Sequence, residues 1–424
     1  MNLSTSEIPV LALVDYFSML GTIEALNEVA SGDFQYLFIV TKRLPWDSQT
    51  VAYFEQKGAS YLLLDDVLAD PSLIAHCSGI TSIADTALPE TARIAQAAGI
   101  HHYHSPEVAD RISSKAEQRR ACAAKGVRQP RFCEVDLSDP SWFDSVPETM
   151  AGRSLVAKPV RGWGSTGVTF IPAIEDAPRL LGNAKGTWLI EEEIAGVPHP
   201  LGPWLGDHLS VQTMSFAGKH QLIGVMDKPP HAPPFRATGD VCPSVLPDDL
   251  RKECERVALA AIDALGIEYG WSHTELKLAA DGPNLLEVNG RMSGTADGAS
   301  MRLYGSSPLR AWFDLALGKQ PNVKEFEYGG NVVCQYIIQS PGKPVQLQDV
   351  KAVMSRLEVL PGVISLQPYW LENLDGDAEP ITLNAVMTVW IEAGTPEALK
   401  ATMQTINAMF REIGLCEWTA AYSS

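Results

Sequence analysis

Residues 273–294, HTELKLAADGPNLLEVNGRMSG, alternate like two strands about a turn, yet place acids where a buried hairpin would place apolar side chains. Asp281, Gly282 and Pro283 are turn residues for backbone reasons. Antiparallel pairing centred on Asp281 sets Leu276 opposite Leu286, Glu275 opposite Glu287 and His273 opposite Asn289. Strand side chains alternate faces, so His273, Glu275, Glu287 and Asn289 share one face, and Thr274, Leu276, Leu278, Leu286 and Val288 the other. Opposed Cβ atoms lie roughly 4.5–5.5 Å apart. Two carboxylates that close repel, and one would have its pKa raised, unless a cation stands between them. Two Glu and one Asn are a hard oxygen set suited to Mg²⁺ or Mn²⁺, with phosphates filling other positions. Arg291 extends the face as a cation for a phosphate or carboxylate. The plain alternative is a solvated face of ordinary charged residues. LLEVNGR weighs against it, because its acid and its amide fall on one face beside a glycine. His273 taken alone reads equally as a structural histidine.

The chain around this hairpin has 424 residues, enough for two or three packed units. Apolar content of 46% and charged content of 20% are ordinary for a folded protein. A net charge of −18 makes nucleic acid and anionic membranes unfavourable partners, while leaving room for a local basic pocket. Cys77, Cys122, Cys133, Cys242, Cys254, Cys334 and Cys416 form no CxxC pair, which suits free thiols in a reducing compartment. The apolar run Ile8–Val14 ends at Asp15, too short for a signal or membrane helix, so the expected location is cytoplasmic.

Residues 8–104 alternate short β-branched runs (IPVLALV, QYLFIVT, SYLLLD, GITSIAD) with helical segments (MLGTIEALNEVASG, SQTVAYFEQKG, LPETARIAQAAGI), the rhythm of a parallel sheet covered by helices. DYFSMLGT after the first strand is not GxGxxG, which argues against dinucleotide binding there. Residues 106–126 read as one helix, opened by Ser105-Pro106 and closed by Gly126, with SSKAEQRRACAAKG as its basic part. Residues 153–226 read mostly as strands, PDDLRKECERVALAAIDALG as an amphipathic helix from Pro247-Asp248 to Gly266, and 300–317 as helix. From about 330 the order is strand, helix, strand, strand, helix, a small α+β unit. HHYH at 101–104 lacks an acidic or cysteine partner nearby, which disfavours a metal site.

Two further clusters stand out. In SLVAKPVRGWGSTGVTF a strand delivers Lys158, and Gly162, Gly164 and Gly167 let backbone N–H groups close on phosphate oxygens, with Ser165 and Thr166 as hydroxyl donors. No Gly-Lys-Ser/Thr occurs, so this is not a Walker loop, and a ligand-free flexible hairpin reads as well. In TWLIEEEIAGV a strand ends in Glu191, Glu192 and Glu193, either a solvated strand end or a connector between lobes that reads an adenine ring. Trp163 and Trp204 suit substrate contact or packing equally.

Taken in order, over about residues 85–310, these pieces resemble the ATP-grasp superfamily, with E-x-N-G-R as the most specific element. LPETARIAQAAGI, HSPEVADRISSK, GVRQPRF and the C-terminal unit are most similar to the L-amino acid ligases, which join amino acids into dipeptides. The resemblance implies an α/β and α+β architecture, an ATP-grasp fold. It would comprise an N-terminal parallel α/β domain (1–112), an ATP-grasp region (113–330) and a small C-terminal α+β unit (331–424). A glycine-rich-loop lid at about 150–192 and a connector at about 189–196 lie within the second. It implies ATP with two Mg²⁺ or Mn²⁺ ions. Lys115 and Lys158 would hold phosphates under the glycine-rich loop. Glu191 and Glu192, with the backbone near Ile194, would hold adenine. Glu275 and Glu287, completed by Asn289, would bind metal. Arg291 would hold the transferred phosphoryl group or the reacting carboxylate, His273 would lie by the substrate, and Glu90 would contact the first amino group. Small amino-acid-like substrates are the expected partners, and homodimers are common among such enzymes. One departure is visible: relatives carry an acid soon after the connector, whereas VPHPLGPWLGDHLSVQTM has Gln212 near that place. Another ATP-grasp reaction, such as a biotin-dependent carboxylase component or a purine-pathway ligase, competes with dipeptide formation. So does a nucleotide-binding module without catalysis.

Overall fold

The computed structural model describes residues 8–15, 22–41, 47–162, 164–233, 235–340, 345–369, 385–417 and 419. The N-terminal unit is a four-stranded parallel sheet of β1 (Val10–Val14), β2 (Gln35–Val40), β3 (Tyr61–Leu63) and β4 (Gly79–Ser82), in the order β3-β2-β1-β4. Helices α1 (Ile23–Ala30), α2 (Asp47–Lys57), α3 (Leu64–Ala69) and α4 (Leu88–Ala97) alternate with the strands, as the sequence rhythm requires. Most of the DYFSMLGT stretch, residues 16–21, lies outside the described residues.

The stretch read as one helix over 106–126 is two, α5 (Pro106–Ile112) and α6 (Lys115–Ala124). Ser105 and Ser114 each cap the helix that follows, accepting from the Val108 and Glu117 N–H groups. Two N-caps nine residues apart override the continuous periodicity, and the second puts Lys115 on the first turn of α6. The expected helix over 300–317 also divides, into Ala296–Tyr304 and Leu309–Ala316, because Gly305 takes φ +67° and Pro308 follows.

A second four-stranded antiparallel sheet, with α7 (Ala177–Leu181) packed on it, carries the glycine-rich loop. Its strands are β5 (Phe132–Asp136), β6 (Leu155–Pro159), β7 (Thr169–Ile171) and β8 (Thr187–Glu192), in the order β5-β8-β6-β7. It has its own small core of Val135, Met150, Leu155, Ala157, Ile171 and Ile190.

The largest sheet has eight antiparallel strands: β9 (His208–Phe216), β10 (Lys219–Asp227), β11 (Gly239–Cys242), β12 (Gly270–Ala279), β13 (Gly282–Asn289), β14 (Val332–Gln339), β15 (Val363–Pro368) and β16 (Ala385–Ala393). Their order is β13-β12-β9-β10-β11-β14-β16-β15, so the C-terminal strands continue the sheet that holds the acidic hairpin. Helices α8 (Asp248–Leu265), α9 (Ala296–Tyr304), α10 (Leu309–Ala316), α11 (Leu347–Leu357) and α12 (Pro396–Arg411) cover it. The first four residues of ITLNAVMTVWIEA lie outside the described residues.

The hairpin β12–β13 has the expected facing acids, by a different route. Ala279 pairs with Gly282, so the turn is only Ala280-Asp281, and Leu276 faces Leu285, not Leu286. A bulge at Leu286 then restores the register, so Glu275 does face Glu287 and His273 faces Asn289. Leu286 leaves the apolar face expected for it and lines the cleft described next.

Candidate functional site

The acidic face of the hairpin is held from both sides. From one side α6 is bolted to β13. The Gln118 amide donates to the Val288 carbonyl at 2.9 Å and accepts from the Val288 N–H at 2.9 Å, clamping the backbone between Glu287 and Asn289. The next residue, Arg119, is 1% exposed, donates to the Leu286 carbonyl at 2.7 Å and pairs with Glu191. From the other side a chain of donors runs along the sheet. The Trp271 indole donates to Gln212 Oε1 at 3.1 Å, the Gln212 amide to His273 Nδ1 at 2.8 Å, and His273 Nε2–H to Glu275 Oε1 at 3.1 Å. Because Trp271 has only a donor, it fixes the Gln212 amide, and Gln212 fixes the His273 tautomer with its proton toward Glu275. Gln212, fully buried, thus supports His273. Replacing it by Leu strands the indole N–H and the imidazole nitrogen, at about 1–3 kcal/mol for each unsatisfied group. Thermal denaturation of Gln212→Leu should show that loss, and an unchanged melting temperature would contradict the chain of donors.

Each facing acid already has a cation. Lys115 Nζ lies 2.8 Å from Glu287 and 3.1 Å from the Gly162 carbonyl, so it ties the glycine-rich loop to the hairpin. Lys228 Nζ lies 3.6 Å from Glu275 and 2.9 Å from Asp240. Burial alone would push the Glu275 carboxyl up, but Lys228 and His273 hold it well below the usual range. Glu287 is likewise held low: burial and Glu275 raise it, and Lys115 and Lys158 outweigh them. Lys158 pairs with Glu191 Oε2 at 2.6 Å. Burial, with Arg119 nearby, lowers the Lys158 ammonium despite Glu191. The raised pKa expected for one of two bare facing acids is therefore absent, because lysines stand where a cation was needed.

Between the second and third sheets lies a cleft enclosing about 970 Å³ of empty space, part of it open to solvent. Lys115, Lys158, Gly162, Gly164, Ser165, Thr166, Glu191, Glu192, Ile194, Glu275 and Glu287 all line it. Gly167 does not. Its φ is +77°, and a Cβ there would stand 3.0 Å from the Pro159 ring, so it shapes the loop by packing. Asn289 donates weakly to the His273 carbonyl at 3.4 Å, and His273 sits behind Glu275. Arg291 Nε donates to Asp85 at 2.7 Å. Glu90 is half-buried on the first turn of α4, whose Leu88 lies against Gly290. Both Glu191 oxygens face cations, Arg119 and Lys158. Trp163 lies outside the described residues, and Trp204 packs in the core under α11 and α12.

Several residues here were not singled out from sequence. Asp85, just beyond β4, reaches Arg291 with Oδ2, while its buried Oδ1 makes no hydrogen bond among the described residues. Its position past the carboxyl end of a parallel strand is where open α/β sheets take ligands, which was a usable signal. Arg119 lies four residues from Lys115 on the same helical face, another usable signal. The first acid in the chain after the connector is Asp207, bonded to His208 Nδ1 at 2.6 Å and near Lys277 at 3.5 Å, and both of those partners line the cleft. Lys228 and Gln118 carried no local signal.

Behind the hairpin's end His104 is buried against Gly290, where a Cβ would stand 3.4 Å from Nε2. Burial lowers its imidazole from 6.5 to about 4. A folded value below the unfolded one means full stability above pH 6.5 and loss as pH falls from there toward 4, about 3 kcal/mol across the window. His104→Gln should flatten that part of a denaturation profile, and an unchanged slope would show that His104 does not govern it.

In sequence, residues 112–295 match the ATP-grasp domain family. Carnosine synthase 1 of Gallus gallus is 36% identical over 142 residues, covering 33% of this chain and 14% of that protein. A D-alanine--D-alanine ligase of Methylibium petroleiphilum is 31% identical over 189 residues, covering 41% of this chain and 56% of that protein. The chain thus spans less than two thirds of the length of either relative. In fold it is similar to an L-amino acid ligase of Bacillus licheniformis, with a TM-score of 0.71 and 19% identity over 95% of this chain and 97% of that one.

Proposed function

We propose, from the premise that residues 112–295 are an ATP-grasp domain, that this protein is an ATP-dependent ligase joining a carboxylate to an amine, with amino-acid-like substrates. The observation that carries the proposal is the meeting of Glu275, Glu287, Lys115 and Lys158 in one cleft under a glycine-rich loop. The names of two similar proteins, D-alanine--D-alanine ligase and L-amino acid ligase, favour amino acids as the substrates.

The facing carboxylates fit a divalent ion. They are hard anionic oxygens held ionised by neighbouring lysines, as a ligand to Mg²⁺ or Mn²⁺ must be. Glu275 and Glu287, with the Asn289 amide on the same strand as Glu287, would hold such an ion; among the described residues no group of three or more His, Cys, Asp or Glu is placed to do so. When bound, such ions neutralise phosphate charge and align the terminal phosphate.

The chain's own groups do the rest. Lys115 and Lys158 place cations toward the phosphates, and Arg119 keeps the Glu191 charge from claiming Lys158 alone. The glycine-rich loop, with Ser165 and Thr166, closes over the phosphates and excludes water. The connector backbone at Glu192–Ile194 receives adenine, since the Glu191 side chain is committed to cations. Arg291 takes the substrate carboxylate or the transferred phosphoryl group, and Glu90 and the spare Asp85 oxygen accept the substrate ammonium. His273 orients Glu275. A carboxylate oxygen attacks the γ-phosphorus and ADP leaves. An amine then attacks the acyl phosphate carbonyl, phosphate leaves with the carbonyl–oxygen bond, and the amine proton passes to solvent or phosphate. Alignment and charge neutralisation supply the rate.

The test is phosphate release with ATP and Mg²⁺ over pairs of amino acids, with mass detection of the condensed product. An amide product with stoichiometric ADP is expected. ADP formed with bicarbonate but with no acid–amine pair would replace this reading by a carboxylation, and nucleotide binding without ADP would replace it by a binding module.

A further inference from the structure

An ion arriving between the facing acids meets a like charge, because Lys228 stands 3.6 Å from Glu275. A surface lysine would swing into water. Lys228 is 7% exposed, and a buried ammonium needs an anion wherever it goes. One is in place: Asp240 Oδ1 on β11, at 2.9 Å, is nearer than Glu275. Asp240 is itself anchored. Its Oδ2 accepts from the Thr295 hydroxyl at the N-terminus of α9, and that hydroxyl also lies 2.6 Å from Gln335 on β14. Thus a second acid, fixed by α9 and β14, shares the lysine with the hairpin acid. Lys115, the partner of Glu287, donates in addition to a backbone carbonyl, that of Gly162, where Lys228 has a second carboxylate.

We propose that Asp240 is a positioning residue for the ion site: it retains the Lys228 ammonium so that Glu275 is free to take the ion. The proposal rests on the assignment of Glu275 and Glu287 to the ion. Without the Asp240 charge, Glu275 becomes the nearest anion to Lys228, and the ion must displace an ammonium that has nowhere else to pair. Removing the lysine as well removes the competitor.

The experiment measures Mn²⁺ affinity by electron paramagnetic resonance on the full chain with saturating ADP and no second substrate, so turnover plays no part. Asp240→Asn should weaken Mn²⁺ binding about tenfold, with metal-free ADP affinity unchanged, by the general worth of one close buried charge. Lys228→Met with Asp240→Asn should recover binding to within about threefold of wild type, because the competing cation is gone. Equal Mn²⁺ affinity in wild type and Asp240→Asn, or a double variant as weak as the single, overturns the proposal while leaving the ion site standing. A wild type that binds no Mn²⁺ with ADP overturns the ion site and this inference together. Should Asp240→Asn fail to fold, Lys228→Met alone decides: Mn²⁺ binding at least as tight as wild type supports the proposal, and a loss overturns it.

Discussion

Glu287→Gln should lower ADP formation by about a thousandfold or more, the scale on which removal of a group stabilising transition-state charge acts. Glutamine keeps the shape of the side chain and removes its charge. Glu287 is the acid that faces Glu275, pairs with Lys115 at 2.8 Å, and is held ionised by Lys115 and Lys158 against burial and Glu275. A neutral amide there is a poorer ion ligand and loosens Lys115, which still donates to the Gly162 carbonyl. The fold should survive, because the pair lies at the edge of the cleft, partly open to solvent, and glutamine fills the same space. ADP release in a coupled assay and thermal denaturation separate the two effects. Wild-type turnover in a folded variant would take the hairpin out of the mechanism.

Arg119→Met should be the most destabilising single change near the site, at about 3–5 kcal/mol, the range for breaking a buried ion pair from one side. Arg119 serves two acceptors and a neighbouring charge at once. It pairs with Glu191, donates to the Leu286 carbonyl at the bulge, and offsets the Glu191 charge so that Lys158 can share it. Removal leaves a 3% exposed carboxylate with one cation, and frees the bulge beside Glu287. Arg119→Lys should recover little, since one ammonium cannot reach two acceptors in the fork geometry of a guanidinium. Chemical denaturation measures the loss, and a variant as stable as wild type would mean that the Arg119 network contributes no net stability.

The facing acids were legible because their causes are local. Period-two alternation about a turn near Asp281 puts an acid on each arm within one residue of facing, and the bulge completes the match of Glu275 with Glu287. The bulge at Leu286 was not legible. It repairs a register that the short turn shifts by one residue, and a periodic pattern cannot distinguish a three-residue turn from a two-residue turn plus a bulge. The split of 106–126 was visible in Ser114, whose capping role competes with a strong periodicity on both sides. What holds the site was mostly hidden, because it joins distant segments. Gln118 reaches Val288 across 170 positions, Arg119 reaches Glu191 across 72, and Arg291 reaches Asp85 across 206. No sequence period encodes such contacts. They follow only once the parallel unit, the loop-bearing sheet and the eight-stranded sheet are packed together. The same holds for Gln212, which looked like a displaced ligand and is instead the link between Trp271 and His273.

The central claim is that Glu275 and Glu287 share a divalent ion at the terminal phosphates of a nucleotide in the cleft. Crystals grown with ADP and Mn²⁺, with diffraction recorded at the manganese edge, test it most directly. The account predicts an anomalous peak about 2.1–2.3 Å from carboxylate oxygens of both residues, the spacing of hard-cation oxygen ligation, and within reach of the ADP β-phosphate. Manganese bound elsewhere, with Lys115 and Lys228 still closed on the two acids, would contradict it.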